Sequence, residues 1–147
     1  MANQTRPEDF LQPQTHLSMD TSLSGVPVSL SENRAVVELR TLETMVADET
    51  GLVHGGFIFS LADHAAMLAI NHPNVVLGAA ETRFLKPVVV GDVVSADAVV
   101  ERRDGKKIFV QVNASRGDEV VFTGVFTCFV PSSHVLHDRR PPSQETT

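Results

Sequence analysis

Asp63 follows the Gly55-Gly56 pair by eight residues and His54 by nine. A carboxylate can activate water or attack a carbonyl directly. Gly55 and Gly56 stand where a helix begins, and the first N–H groups of a helix lack internal partners. With no side chain in the way, a carbonyl oxygen can approach those amides, and the helix dipole adds to their pull on a developing oxyanion. On one helix eight residues span ~12 Å, too far for Gly55 and Asp63 to grip one carbonyl. Plainer roles stand beside these. Gly55-Gly56 also suits a tight loop-to-helix entry, Asp63 a wet helix face, and His54 the orienting of a loop rather than proton transfer.

Other groupings carry less. Ser60 and His64 are i,i+4 neighbours that mimic a hydrolase dyad, but no Gly-x-Ser-x-Gly elbow supports them. The six histidines lack a zinc-like spacing, so no metal is expected. The single Cys128 reads as a packed strand residue and excludes an intramolecular disulfide. No phosphate-binding loop or dinucleotide fingerprint is present, so no cofactor is expected. The absence of Tyr and Trp and a net charge of -6 weigh against nucleic acid. No apolar run approaches the ~18 residues of a membrane span, and Met1–Thr15 holds no apolar signal core. The expected location is the cytoplasm.

These residues need elements to hold them. Val26–Leu30 and Arg34–Leu39 read as a hairpin around Ser31-Glu32-Asn33. Phe57 to Ile70 is rich in Leu, Met and Ala and lacks Pro and Gly, which predicts a helix stopped by Asn71-His72-Pro73. Apolar residues surround most of it, so a sheet must wrap around it, with the alanines allowing close approach. Ser60, Asp63, His64, Met67 and Asn71 gather into one stripe roughly 100° wide. Four strands follow: Val75–Phe84 extending towards Val89, Val93–Arg102, Lys107–Ser115 and Val120–Val130, with Asp104-Gly105 and Gly117-Asp118 as tight turns. Residues 1–22 read as a tail with a helical turn near Phe10, residues 23–135 as one domain, and residues 136–147 as a disordered tail. The class is α+β, one long central helix wrapped by an antiparallel sheet of five to six strands.

The pattern resembles the hot-dog-fold thioesterases, specifically the phenylacetic-acid-pathway type of acyl-CoA thioesterase. Leu52-Val53-His54-Gly55-Gly56 carries the resemblance, with Asp63 in Ser60-Leu61-Ala62-Asp63 and Arg83-Phe84-Leu85-Lys86-Pro87 followed by Gly91-Asp92. It covers roughly residues 30–130. It implies thioester hydrolysis to free acid and CoA, with the glycine amide from one subunit and Asp63 from the other as general base or nucleophile. It also implies a homodimer or a dimer of dimers. His54 and Asp48 would shape the loop. Many relatives carry asparagine where this chain has Asp48, six residues before the histidine; a carboxylate there is a base, a water anchor or part of a polar turn, and facing Asp63 it would raise one pKa.

Charge distribution adds a binding expectation. Residues 1–80 balance at -6, residues 81–116 at +2 and the remainder at -2. Arg83, Lys86, Lys106 and Lys107 are candidates for the CoA phosphates, and Phe57, Phe59 and Met67 for the acyl groove. Against hydrolysis stand two other classes. One is a non-catalytic acyl-CoA binding or sensing module, although residues 1–24 are too short for a DNA-binding helix-turn-helix. The other is a hot-dog dehydratase or hydratase, whose motif is not found.

Overall fold

The computed structural model describes residues 10–139. Six strands form one antiparallel sheet: β1 (Val26–Ser31), β2 (Arg34–Arg40), β3 (Val76–Phe84), β4 (Val93–Asp104), β5 (Lys107–Arg116) and β6 (Glu119–Phe129). Their order across the sheet is β1-β2-β4-β5-β6-β3. A short helix, α1 (Thr21–Ser24), precedes β1, and the long helix α2 (Gly55–Ile70) lies between β2 and β3. This is the hot-dog architecture that the resemblance implies. No described helix is long and apolar enough to cross a membrane.

Alternation fixes which side of each strand meets α2. Val94, Ala96 and Ala98 of β4 are buried, as are Ile108, Val110, Val112 and Ala114 of β5. Val100, expected in the same row, is half-buried and stands at the point where the β4–β5 register shifts, between Val100 and Arg102. Ala62, Ala65, Ala66 and Ala69 of α2 share one buried core with the small residues Ala35, Ala96 and Ala98. Phe122 and Phe126 fill the larger spaces, their centroids 6.4 Å apart. Each such large apolar side chain contributes about 1.5–3 kcal/mol on burial.

β3 stops at Phe84 rather than running on towards Val89. Its outer edge has no strand partner among the described residues. After it, the loop at residues 85–92 is held by hydrogen bonds of other kinds. The Leu85 N–H donates to the Val121 carbonyl (2.8 Å), and the Val90 N–H to the Gly51 carbonyl (2.8 Å).

The N-terminal stretch shows the largest difference from the sequence reading. Phe10 makes a β-bridge with Leu30 instead of a helical turn. The Leu11 N–H donates to the Leu30 carbonyl (2.8 Å). Asn71 caps α2 in the left-handed region, φ 53° and ψ 48°. Its side chain accepts from the Gln14 N–H (2.7 Å) and donates to the Gln12 carbonyl (3.0 Å). Residues 10–25 thus form a strap tied to both β1 and the end of α2. Of the expected tails, residues 1–9 and 140–147 lie outside the described residues, while residues 136–139 make a turn in which the His137 N–H donates to the His134 carbonyl (2.8 Å) and the Arg139 N–H to the Leu136 carbonyl (2.9 Å).

The strap also changes the stripe on α2. Ser60 Oγ lies 2.8 Å from Ser24 Oγ, and His64 Nδ1 lies 3.1 Å from the Ser24 carbonyl. His64 is only 3% exposed and Met67 only 1%. A polar stripe that the helix alone would leave wet is therefore largely covered, and Met67 belongs to the core.

Candidate functional site

The start of α2 is built by the loop before it. The Val53 N–H donates to the Val88 carbonyl (2.8 Å) and the His54 N–H to the Met45 carbonyl (2.9 Å). His54 takes the N-cap position with an extended backbone and no side-chain cap. Its carbonyl accepts from the Phe57 N–H (3.1 Å), while among the described residues no acceptor meets the Gly55 or Gly56 N–H. Beside them opens a cleft of about 300 Å³ lined by Leu52, Val53, Gly55, Ile58, Phe84, Leu85, Lys86, Pro87, Val88 and Val121. Its walls are apolar except for Lys86. Both glycines also serve packing. A Cβ on Gly55 would lie 3.1 Å from the Phe84 ring, and one on Gly56 3.0 Å from the His54 ring. The His54 ring in turn meets Phe57 edge-on, with centroids 6.3 Å apart.

Asp63 sits two turns further along the same helix and is half-buried. Its Oδ1 is buried without a hydrogen-bond partner. Burial pushes its carboxyl up from the usual 3.8 to about 6. The Cys128 thiol is pushed up to about 12, first by burial and then by the Asp63 charge, which places the two side chains in one neighbourhood. A carboxylate with an apparent pKa near 6 is mostly ionised at neutral pH, yet far more basic than an exposed one. Among the described residues no donor meets this oxygen.

The other expected site residues scatter. Asp48 is exposed and accepts from the Thr50 N–H (2.9 Å) and Oγ1 (2.5 Å), which hold its carboxyl below the usual carboxylate range. It does not face Asp63 in this chain, whose shift has burial as its cause. Arg83 lies on the opposite face of the sheet, in a polar groove with Glu81, Gln111 and Thr123. Lys86 borders the cleft. Lys106 lies beside Val76, Phe129 and Pro131, and Lys107 pairs with Phe129. The Lys86 N–H reaches Val121, so along β6 the two groups of cations are eight residues apart, or ~26 Å. The basic segment is one patch in sequence and several in space. Phe57 is half-buried beside His54. Met67 is buried and does not line the cleft within this chain. Ser60 and His64 each bond to Ser24 instead of to one another, which removes the dyad reading. Among the described residues, no three His, Cys, Asp or Glu side chains cluster to hold a metal ion.

Two contributors escaped the sequence reading. Phe84 was placed in a strand, but nothing local signalled that its ring would cover Gly55. Arg116 closes the basic segment of residues 81–116 with no role assigned to it by the sequence, yet it donates to the Pro87 carbonyl and to Asp92, and so braces the cleft wall.

Comparison with known proteins agrees with this fold. A family model described as the thioesterase superfamily matches residues 50–123. A protein of Aquifex aeolicus called methylthioribose-1-phosphate isomerase is 54% identical over 112 residues, 76% of this chain but 25% of that protein. The transcription factor FapR of Caldanaerobacter subterraneus is 36% identical over 119 residues, 81% of this chain and 59% of that protein. The chain thus spans from a quarter to about three fifths of the length of these curated relatives. Among solved structures, one from Pyrococcus horikoshii superposes with a TM-score of 0.84 at 51% identity, covering 86% of this chain and 97% of that one. The E. coli PaaI protein from the phenylacetic acid degradation operon superposes with a TM-score of 0.71 at 25% identity, covering 78% and 84%.

Proposed function

This chain belongs to the thioesterase superfamily, and from that premise we propose that it hydrolyses an acyl-CoA thioester to a free acid and CoA. The observation that carries the reading is Asp63, a half-buried carboxylate with an unpartnered oxygen and a pKa raised to about 6. A group in that state can take a proton from water near neutral pH.

In this reading the thioester carbonyl sits against the Gly55 and Gly56 N–H groups, which bear the negative charge of the tetrahedral intermediate. Asp63 removes a proton from the attacking water, and collapse of the intermediate breaks the C–S bond. The CoA thiolate leaves and takes up a proton. Direct attack by Asp63 would give an anhydride that water then opens. Because α2 is one regular helix, Gly55 and Asp63 of one chain stand ~12 Å apart. The reading therefore needs a second subunit whose Asp63 faces this subunit's glycines, in a homodimer or a dimer of dimers. The unpaired edge of β3 supports such an assembly. Lys86, the cation bordering the cleft, is assigned to a CoA phosphate.

The test is thiol release from a panel of short, aromatic and long acyl-CoAs, with Asp63→Asn beside the parent. Turnover of one class by the parent, largely lost in a folded Asp63→Asn, is the expected result. The match to a transcription factor favours a second reading, an acyl-CoA binding module without turnover. Binding by the parent with no thiol release from any substrate would establish that module and end the hydrolase reading.

A further inference from the structure

The cleft wall is braced by a relay of four charges. Arg116, at the end of β5, has a side chain 29% exposed, and that of Asp92 is 20% exposed. Arg116 Nη1 donates to the Pro87 carbonyl (2.8 Å) and to Asp92 Oδ2 (2.9 Å), and its Nη2 donates to Glu119 Oε1. Asp92 Oδ2 also accepts from the Val89 N–H (3.0 Å). One guanidinium therefore holds the loop of residues 85–92 at two points. At the far end of the relay, Glu119 Oε2 lies 4.0 Å from Lys86 Nζ.

We propose that Arg116 is a positioning residue that sets specificity for an anionic thioester. It engages Asp92 and Glu119 so that Lys86 stays available to a phosphate of the substrate. This rests on the acyl-CoA reading of the cleft. The relay as it stands is neutral: two carboxylates, one guanidinium, one ammonium. Without the guanidinium it carries a net negative charge, and Glu119 is left with Lys86 as its only cation in the relay. A substrate bearing phosphates then approaches a cation that is already neutralised, beside an uncompensated Asp92. A thioester without phosphates meets the same scissile-bond environment and is indifferent to that change.

The experiment compares an acyl-CoA with the matching acyl-N-acetylcysteamine thioester, which has the same scissile bond and no phosphate. Arg116→Gln is expected to raise KM for the acyl-CoA roughly threefold to fivefold, the upper range for one exposed charge pair. Loss of the bond to the Pro87 carbonyl loosens the wall for both thioesters alike, so the selective part is the readout: KM for the small thioester rises less than KM for the acyl-CoA. Arg116→Gln/Glu119→Gln removes the competing carboxylate and restores KM for the acyl-CoA, and added salt shrinks the difference between single variant and parent. An equal rise in KM on both thioesters, or no restoration in the double variant, overturns the proposal and leaves Arg116 a brace of the wall alone. Should the parent hydrolyse neither thioester, the hydrolase reading fails by itself, and calorimetric titration with free CoA decides the proposal. Weaker binding by Arg116→Gln that recovers in the double variant upholds it; equal affinity in all three proteins overturns it. Melting curves of each variant show that the comparison is between folded proteins.

Discussion

The Phe84 ring occupies the space that a side chain on Gly55 would need, with an added Cβ lying 3.1 Å from Phe84 Cε1. Phe84 is 55% exposed, and its ring meets Phe122 edge-on at 5.1 Å between centroids. Gly55 is thus small because a ring lies over it, beside the cleft that both residues line. Gly55→Ala must shift that ring by a few tenths of an ångström. An exposed ring can yield, so the melting temperature should change little. The displaced ring narrows the cleft, and thiol release should fall about tenfold through misplacement of the substrate. Gly55→Ala/Phe84→Ala should recover part of the rate, since the two changes share one contact. A double variant no faster than the single one would locate the loss at the amide itself.

With Asp63 as the base, hydrolysis has a pH dependence of definite sign. Its carboxyl is held near 6, and only the ionised form takes a proton from water. The kcat/KM for a thioester should climb tenfold per pH unit below about 6 and level off above it. A profile flat between pH 5 and 7 would remove Asp63 from the role of base.

The same burial has a cost in stability. The unfolded carboxyl titrates near 3.8 and the folded one near 6. A raised carboxyl pKa contributes stability that is present below the unfolded value and is lost as pH rises through the folded one. Above pH 6 the ionised Asp63 therefore costs on the order of 2–3 kcal/mol. Asp63→Asn should raise the melting temperature at pH 7.5, and the gain should fade towards pH 3.5. Hydrolysis by the same variant should drop about 10²–10⁴-fold. A variant that loses both activity and stability at pH 7.5 would mean that Asp63 holds the fold rather than the reaction.

Asp48 is tied within its own turn. Its Oδ1 accepts both the Thr50 N–H and Oγ1. An asparagine oxygen can accept the same bonds, so Asp48→Asn should keep thiol release within about twofold of the parent. A tenfold loss would bring Asp48 to the site from a second subunit.

The parts of this molecule written in local pattern were readable in the sequence. Ile108, Val110, Val112 and Ala114 alternate, Asp104-Gly105 turns the chain, and the structure pairs Asp104 with Lys107 across that turn. Phe57 to Ile70 carries helix formers without a breaker, and α2 adds only the two glycines before it. What was not readable depends on contacts between distant residues. The strap lacks periodicity, and its order comes from bonds such as Gln14 to Asn71, 57 residues apart. The burial of His64 follows from the strap, and the raised pKa of Asp63 from burial beside β6. The basic residues cluster in sequence, but antiparallel pairing sends Lys107 to Phe129 and Arg83 to Thr123. Spacing along the chain reports which residues share a helix face; it does not report what is laid over that face.

The strap itself should be acid-sensitive. His16, whose backbone adopts φ 56°, and His64 both line a cavity of about 200 Å³ that also meets Thr15 and Leu68. Burial holds the His64 imidazole below its usual 6.5, partly offset by its bond to the Ser24 carbonyl. Burial, and then the nearness of His64, holds His16 below the same value. For a base whose folded pKa is depressed, the stabilising contribution is present above the unfolded value and is lost as pH falls below it. The lowered values favour neutral rings in the seated strap, and protonation as pH falls would bring two cations to one cavity. Hydrogen exchange should show the amides of Leu11 and Gln14 losing protection at pH 5 relative to pH 7.5, after correction for intrinsic rates, while those of β5 keep theirs. His64→Gln, which can still reach the Ser24 carbonyl but cannot become a cation, should flatten that difference. Protection of the strap that is equal at the two pH values in the parent would show that the imidazoles do not govern its seating.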